Sequence, residues 1–251
     1  MKRFFWLSYK VYVLSVFFVT LIPFYPIFIF YLSKESRWER CYPWQVRWGN
    51  VVRFFSGIRL DVEGLRNLPP PPYVIVSNHA SYIDTFLMYG IIPHFFVFMG
   101  MAELRKFPMF GRFFKSGQNI AVNRSSVVES IKAFHLANER IESGYSVAIF
   151  PEGGIKPQVP KLAPFKNGAF KLAINQQVPI VPIVMFDTHI LLESNDVLRT
   201  VGKPGRAPVK VLTPVSTVDL KQEDLIPLRE QIHNLISNEL EDYYEGIKEG
   251  V

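Results

Sequence analysis

Three stretches of this sequence hold residue types at spacings that suit chemistry. In Ser77-Asn78-His79-Ala80-Ser81-Tyr82-Ile83-Asp84 a histidine precedes an aspartate by five residues, directly after the apolar run at Tyr73 to Val76. Neither a regular helix nor a strand brings residues at that spacing onto one face. A bend between a strand and a helix does. The carboxylate would then fix the imidazole tautomer and stabilise the imidazolium, which makes His79 a competent general base. On spacing alone, the same octapeptide reads first as a polar strand-end turn.

The second stretch is Phe150-Pro151-Glu152-Gly153-Gly154, again directly after a β-branched run. Proline followed by paired glycines forces a tight turn, which brings backbone N–H groups and the Glu152 carboxylate towards whatever occupies a strand-end cleft. The third, Gly117 to Arg124, ends in an arginine whose planar fork suits a phosphate, or else a surface carboxylate. His94, His135, His189 and His233 form no ligand-spaced cluster, so no metal is expected and these four read as structural.

These residues need a scaffold, and the sequence indicates one. Short β-branched and aromatic runs predict strands at 73–77, 95–99, 119–122, 146–150, 180–186 and 209–213. Helical patterns fall at 167–176 and 225–244, and after Ser125 and Ser126, where Val127, Ile131, Phe134 and Ile141 share a face. The alternation predicts an α/β fold around a mostly parallel central sheet flanked by helices, with functional residues at the carboxyl ends of its strands. The Pro69 to Pro72 run marks a boundary between residues 1–66 and an α/β domain at 67–251.

Residues 1–66 differ in kind from the rest. They hold ten Lys and Arg against four acids, the whole of the net charge of +6, and they include the uncharged 22-residue run Val11 to Leu32. The balanced charge of the remainder argues against nucleic acid as a partner. The apolar run is long enough to cross a bilayer as one helix, but Pro23 and Pro26 interrupt it. Basic residues on both flanks (Arg3 and Lys10 before, Lys34 and Arg37 after) favour a re-entrant hairpin broken at the prolines, with both ends on the cytosolic side. The segment 41–55, rich in Trp, Phe and Arg, suits the headgroup layer. Monotopic attachment, or a single N-terminal membrane segment, at the cytoplasmic face of the inner cell membrane is therefore expected. No small-x-small cleavage site follows the run, and the lone Cys41 fits a reducing compartment.

Taken together, the motifs resemble the bacterial 1-acylglycerol-3-phosphate (lysophosphatidic acid) acyltransferases of the glycerolipid acyltransferase superfamily. His79 and Asp84 match an HxxxxD block, Gly117 to Arg124 a GxxxxxR block, Phe150 to Gly153 an FPEG block, and Val178 to Pro182 a VPIVP block. Pro164 to Phe170 is similar to a PFKxGAF stretch. The resemblance implies transfer of a fatty acyl group from a thioester of acyl carrier protein or coenzyme A to the hydroxyl of a lysophospholipid. It implies His79 as base and Asp84 as its orienting partner, with Asn78, Arg124, Glu152, Gly153 and Lys166 binding substrate, and no bound cofactor. The absence of a G-x-S-x-G elbow agrees with a mechanism lacking a serine nucleophile.

The sequence departs from the family at two places. Gly154-Ile155-Lys156 stands where many members carry Thr-Arg-Ser, and Gly100-Met101-Ala102 where many carry lysines. Lys156, Lys161 or Lys166 would have to compensate, or the acceptor is another lysolipid, such as a lyso-aminolipid. A non-catalytic lipid-binding protein is the reading from a different class. Phe95, Phe96, Phe98, Phe107, Phe110, Phe113 and Phe114 suit either an acyl tunnel or ordinary packing.

Overall fold

A computed structural model describes residues 2–192 and 201–249. A seven-stranded sheet is built from β1 (Ile58–Glu63), β2 (Val74–Ser77), β3 (Phe96–Met101), β4 (Ile120–Val122), β5 (Ser146–Ile149), β6 (Ile180–Met185) and β7 (Gly205–Val211), in the order β1-β7-β6-β2-β5-β3-β4. Every neighbouring pair is parallel except β6 with β7. Strands β2 to β6 therefore end on the same side. Their central members are buried on both faces, as the apolar runs require: every residue of β2 and of β6 is inaccessible.

Helices α1 (Lys2–Leu32), α2 (Trp38–Phe55), α3 (Asp84–Ile91), α4 (Arg112–Lys115), α5 (Val127–Glu142), α6 (Gly168–Gln176), α7 (Thr188–Leu191) and α8 (Leu225–Glu249) surround it. Helix α5 starts as its sequence predicts: the Ser126 side chain accepts a hydrogen bond from the Glu129 amide. Strand β1 is not picked out in the sequence reading. Its alternation of Ile58, Leu60 and Val62 with exposed Arg59, Asp61 and Glu63 pairs it along the edge of β7, so the sheet begins before the boundary drawn at residue 67.

The N-terminal segment also differs from expectation. Helix α1 does not break at its prolines but runs straight through Pro23 and Pro26. The hairpin is formed instead by α1 and α2, with its turn around Glu35–Arg37. Each proline removes one intrahelical hydrogen bond, and packing offsets that loss. Leu21 and Phe28, two turns apart on one face, are fully buried on either side of the prolines. Phe28 sits edge-on to Trp48 of α2 and Phe113 of α4, and Phe24 to Trp44. Tyr9 and Tyr12 donate to the carbonyls of Ser56 and Phe55, and the Trp48 indole donates to Thr20. The outer face of α1 remains apolar and uncovered, with Phe4, Phe5, Val11, Leu14, Val19 and Ile22 all exposed. Of the phenylalanines considered for a tunnel, Phe95, Phe96, Phe98, Phe113 and Phe114 are core residues, whereas Phe107 is exposed.

Candidate active site

The site lies at the carboxyl ends of β2, β5 and β4. Strand β2 ends at Ser77, the chain bends through residues 78–83, and α3 begins at Asp84. The bend converts the five-residue spacing into contact. His79 Nδ1 lies 2.8 Å from Asp84 Oδ2, and that oxygen also accepts from the amides of Ala80 at 2.8 Å and Ser81 at 2.9 Å. Asp84 is fully buried and the His79 side chain is 14% exposed. A carboxylate oxygen can only accept, so Nδ1 carries the proton and Nε2 is the ring's basic nitrogen. Asp84 Oδ1 is buried without a protein partner.

The turn after β5 supports the histidine from the other side. Phe150 stacks on the imidazole, with centroids 4.1 Å apart and planes 14° from parallel. Glu152 is buried, and its two oxygens are divided between two segments. Oε1 accepts from the His79 amide at 2.8 Å and Oε2 from the Ala163 amide at 3.0 Å. Burial pushes the Glu152 carboxyl above the usual carboxylate range, and the two amides pull against that rise. Gly153 has a positive φ of 78°, and a Cβ there would lie 2.9 Å from the Lys166 Nζ. Glycine thus lets the lysine lie against the turn.

Arg124, just beyond β4, donates through Nη1 to the Gly153 carbonyl, which leaves most of its five N–H donors for other partners. Partial burial lowers the Arg124 guanidinium, against the opposing pull of Glu103. Lys166 is pushed below its ordinary value by desolvation, then by repulsion from Arg124 and Lys156. Three cations thus crowd one side of the turn. An anion bound among them would relieve the repulsion.

His79, Asp84, Arg124, Glu152, Gly153 and Lys166 are therefore brought together. Asn78 is placed differently. Its amide pairs with the Met185 backbone of β6, donating to the carbonyl at 2.7 Å and accepting from the amide at 2.8 Å, so it ties the bend to the sheet. Neither the Phe150 stacking partner nor the Ala163 amide is singled out by sequence reasoning, although Phe150 lies within the quoted motif. His94 bridges the Tyr73 hydroxyl and the Phe95 carbonyl, and His233 packs edge-on to Phe165. No group of three or more His, Cys, Asp or Glu suited to a metal occurs among the described residues.

The arrangement can deprotonate a hydroxyl at Nε2 while an anionic group rests on the neighbouring cations. Residues 59–186 match the family model described as Acyltransferase, more than half of the chain. The chain belongs to the Acyltransferase family. Similar proteins include the 1-acyl-sn-glycerol-3-phosphate acyltransferase alpha of Mus musculus, 33% identical over 189 residues, covering 74% of this chain and 65% of that protein. The 1-acyl-sn-glycerol-3-phosphate acyltransferase of Cocos nucifera is 30% identical over 195 residues, covering 76% and 61%. The chain thus matches somewhat less than two thirds of the length of these relatives. In fold it is similar to the 1-acyl-sn-glycerophosphate (LPA) acyltransferase PlsC of Thermotoga maritima, with a TM-score of 0.80, 22% identity and coverage of 97% of this chain and 98% of that one.

Proposed function

We propose that this family member is a membrane-bound 1-acylglycerol-3-phosphate O-acyltransferase that makes phosphatidic acid. The observation that carries the reading is the 2.8 Å contact of His79 Nδ1 with buried Asp84, beside the cations Arg124, Lys156 and Lys166. The acceptor's free hydroxyl attacks the carbonyl carbon of an acyl thioester on acyl carrier protein or coenzyme A as His79 Nε2 removes its proton. The tetrahedral intermediate collapses, the C–S bond breaks, and the imidazolium returns the proton to the thiolate. Asp84 stabilises the imidazolium between these steps. No acyl-enzyme forms.

Arg124 and Lys166 hold the acceptor phosphate, and Gly153 makes room for Lys166 against the turn. Glu152 acts by holding the His79 backbone, and Asn78 by anchoring the bend to β6. The three clustered cations favour a phosphomonoester acceptor over a lyso-aminolipid, and they answer the lysines and arginine missing at 100–102 and 154–156. The exposed apolar face of α1 and the basic flanks of the α1–α2 hairpin support attachment of the N-terminal segment to the cytoplasmic face of the cell membrane.

The test is a competition assay. Purified protein receives a labelled acyl thioester together with 1-acylglycerol-3-phosphate, lysophosphatidylethanolamine and a lyso-aminolipid. Label is expected in phosphatidic acid. Label confined to another product refutes the acceptor, and free fatty acid formed regardless of acceptor refutes acyl transfer.

A further inference from the structure

Although the chain beyond residue 66 is neutral as a whole, its charge is not evenly spread. The segment from Met101 to Gly117, which leaves the carboxyl end of β3 on the same side of the sheet as His79, carries Arg105, Lys106, Arg112 and Lys115 against the single acid Glu103. All four bases are exposed, and at the tip between them Phe107 is 51% exposed, followed by exposed Pro108. The tip has a fixed shape. The Phe107 amide donates to the Leu104 carbonyl and the Gly111 amide to the Phe107 carbonyl, and Met109 holds a positive φ of 57°. A Cβ at Gly111 would lie 2.4 Å from the Arg105 carbonyl oxygen, so only glycine permits so tight a fold.

The inner side of the same segment packs on α1. Phe110 meets Phe17 with centroids 6.1 Å apart, and Phe113 meets Phe28 at 5.1 Å. The segment that carries the exposed tip and its bases is thus seated on the inner face of α1, the helix whose outer face is apolar and exposed. A rigid tip with an aromatic residue outward and four cations along its segment has the composition of an interfacial anchor on anionic lipid.

We propose that the Met101–Gly117 segment is a second membrane contact, which docks on an anionic lipid surface and holds the mouth of the His79 site against it. The inference rests on the proposed attachment through α1. Phe107 and Pro108 enter the headgroup layer, and Arg105, Lys106, Arg112 and Lys115 face lipid phosphates. The acceptor lipid then reaches the cations of the site without leaving the interface.

The experiment uses full-length protein in phosphatidylcholine vesicles with and without phosphatidylglycerol. An environment-sensitive fluorophore is placed on V11C in α1, on F107C, or on E223C near the opposite end of the sheet; buried Cys41 is left in place. A quencher carried on lipid is expected to quench labels at 11 and 107 and to spare 223, with quenching at 107 strengthened by phosphatidylglycerol and weakened by salt. Quenching at 11 without 107 overturns the second contact and leaves attachment intact; quenching at neither position overturns both. A label at 107 shielded only when an acidic carrier protein is added also overturns it, because the surface would then be a protein site. As a second measurement, the triple variant R105Q/K106Q/R112Q should raise the apparent KM for lysolipid in anionic vesicles by roughly fivefold per base removed. Its turnover in neutral detergent should stay unchanged. An unchanged KM in anionic vesicles contradicts the proposal.

Discussion

Replacing Asp84 by Asn tests the coupling between carboxylate and imidazole most sharply, because it removes a charge while nearly preserving shape. The asparagine carbonyl can still accept from the Ala80 and Ser81 amides, so the bend before α3 should survive. Its amide group would take the place of Oδ1, which is already buried and unpartnered, at a cost of about 1–3 kcal/mol of stability. Catalysis loses more. With Nδ1 and Oδ2 at 2.8 Å, the charge centres of imidazolium and carboxylate are about 4 Å apart, which corresponds to about 4 kcal/mol at an effective dielectric constant of 20. That interaction exists only once the proton has reached Nε2, so its loss should fall on kcat, by about 10³-fold. Initial rates with saturating acyl thioester and lysophosphatidic acid, measured beside a thermal unfolding curve, provide the assay. A folded D84N protein within about tenfold of the wild-type kcat would refute the reasoning.

Other substitutions read other parts of the site. R124Q should raise the acceptor KM about 10- to 100-fold with a smaller change in kcat, since a charge-assisted hydrogen bond contributes about 1.5–3 kcal/mol; steady-state kinetics decide it, and an unchanged KM removes Arg124 from phosphate binding. E152Q gives one of its two backbone donors an amide nitrogen in place of an acceptor, and should lower stability by about 1–3 kcal/mol. Burial raises the Glu152 carboxyl, so the native state binds that proton more readily; its contribution is full below the unfolded value of about 4.3 and is lost as pH rises through the folded value. The stability gap between wild type and E152Q should therefore narrow as pH rises from the unfolded value through the raised folded one, and a widening gap in unfolding midpoints contradicts the assignment. F28A should cost about 3–5 kcal/mol, because Phe28 is fully buried between Trp48 and Phe113; a thermal shift near zero would mean that α1 is a loose appendage.

Much of this arrangement is legible in the sequence, and the exceptions have physical causes. The six strands read from apolar runs all appear, most plainly β2 and β6, because a strand buried on both faces needs a continuous apolar stretch. Strand β1 carries the other signature, the period-two alternation of a half-buried edge, and a charge count over residues 1–66 conceals it. Pro23 and Pro26 mislead for a different reason. A proline forbids a hydrogen bond locally, but the burial of Leu21 and Phe28 against α2 and α4 is a tertiary effect that no local rule contains. At the site, the His79–Asp84 contact follows from a strand-to-helix bend, which the spacing itself suggests. Asn78 illustrates the limit. An amide can meet a substrate or a backbone equally well, and only the position of Met185 decides between them.

The central claim is that His79 Nε2 takes the proton of a lysolipid hydroxyl. Its most direct test is H79A in the labelled-thioester assay, with circular dichroism and unfolding midpoint confirming that the variant is folded. The account predicts that phosphatidic acid formation falls to background. Near-normal turnover by folded H79A would contradict it.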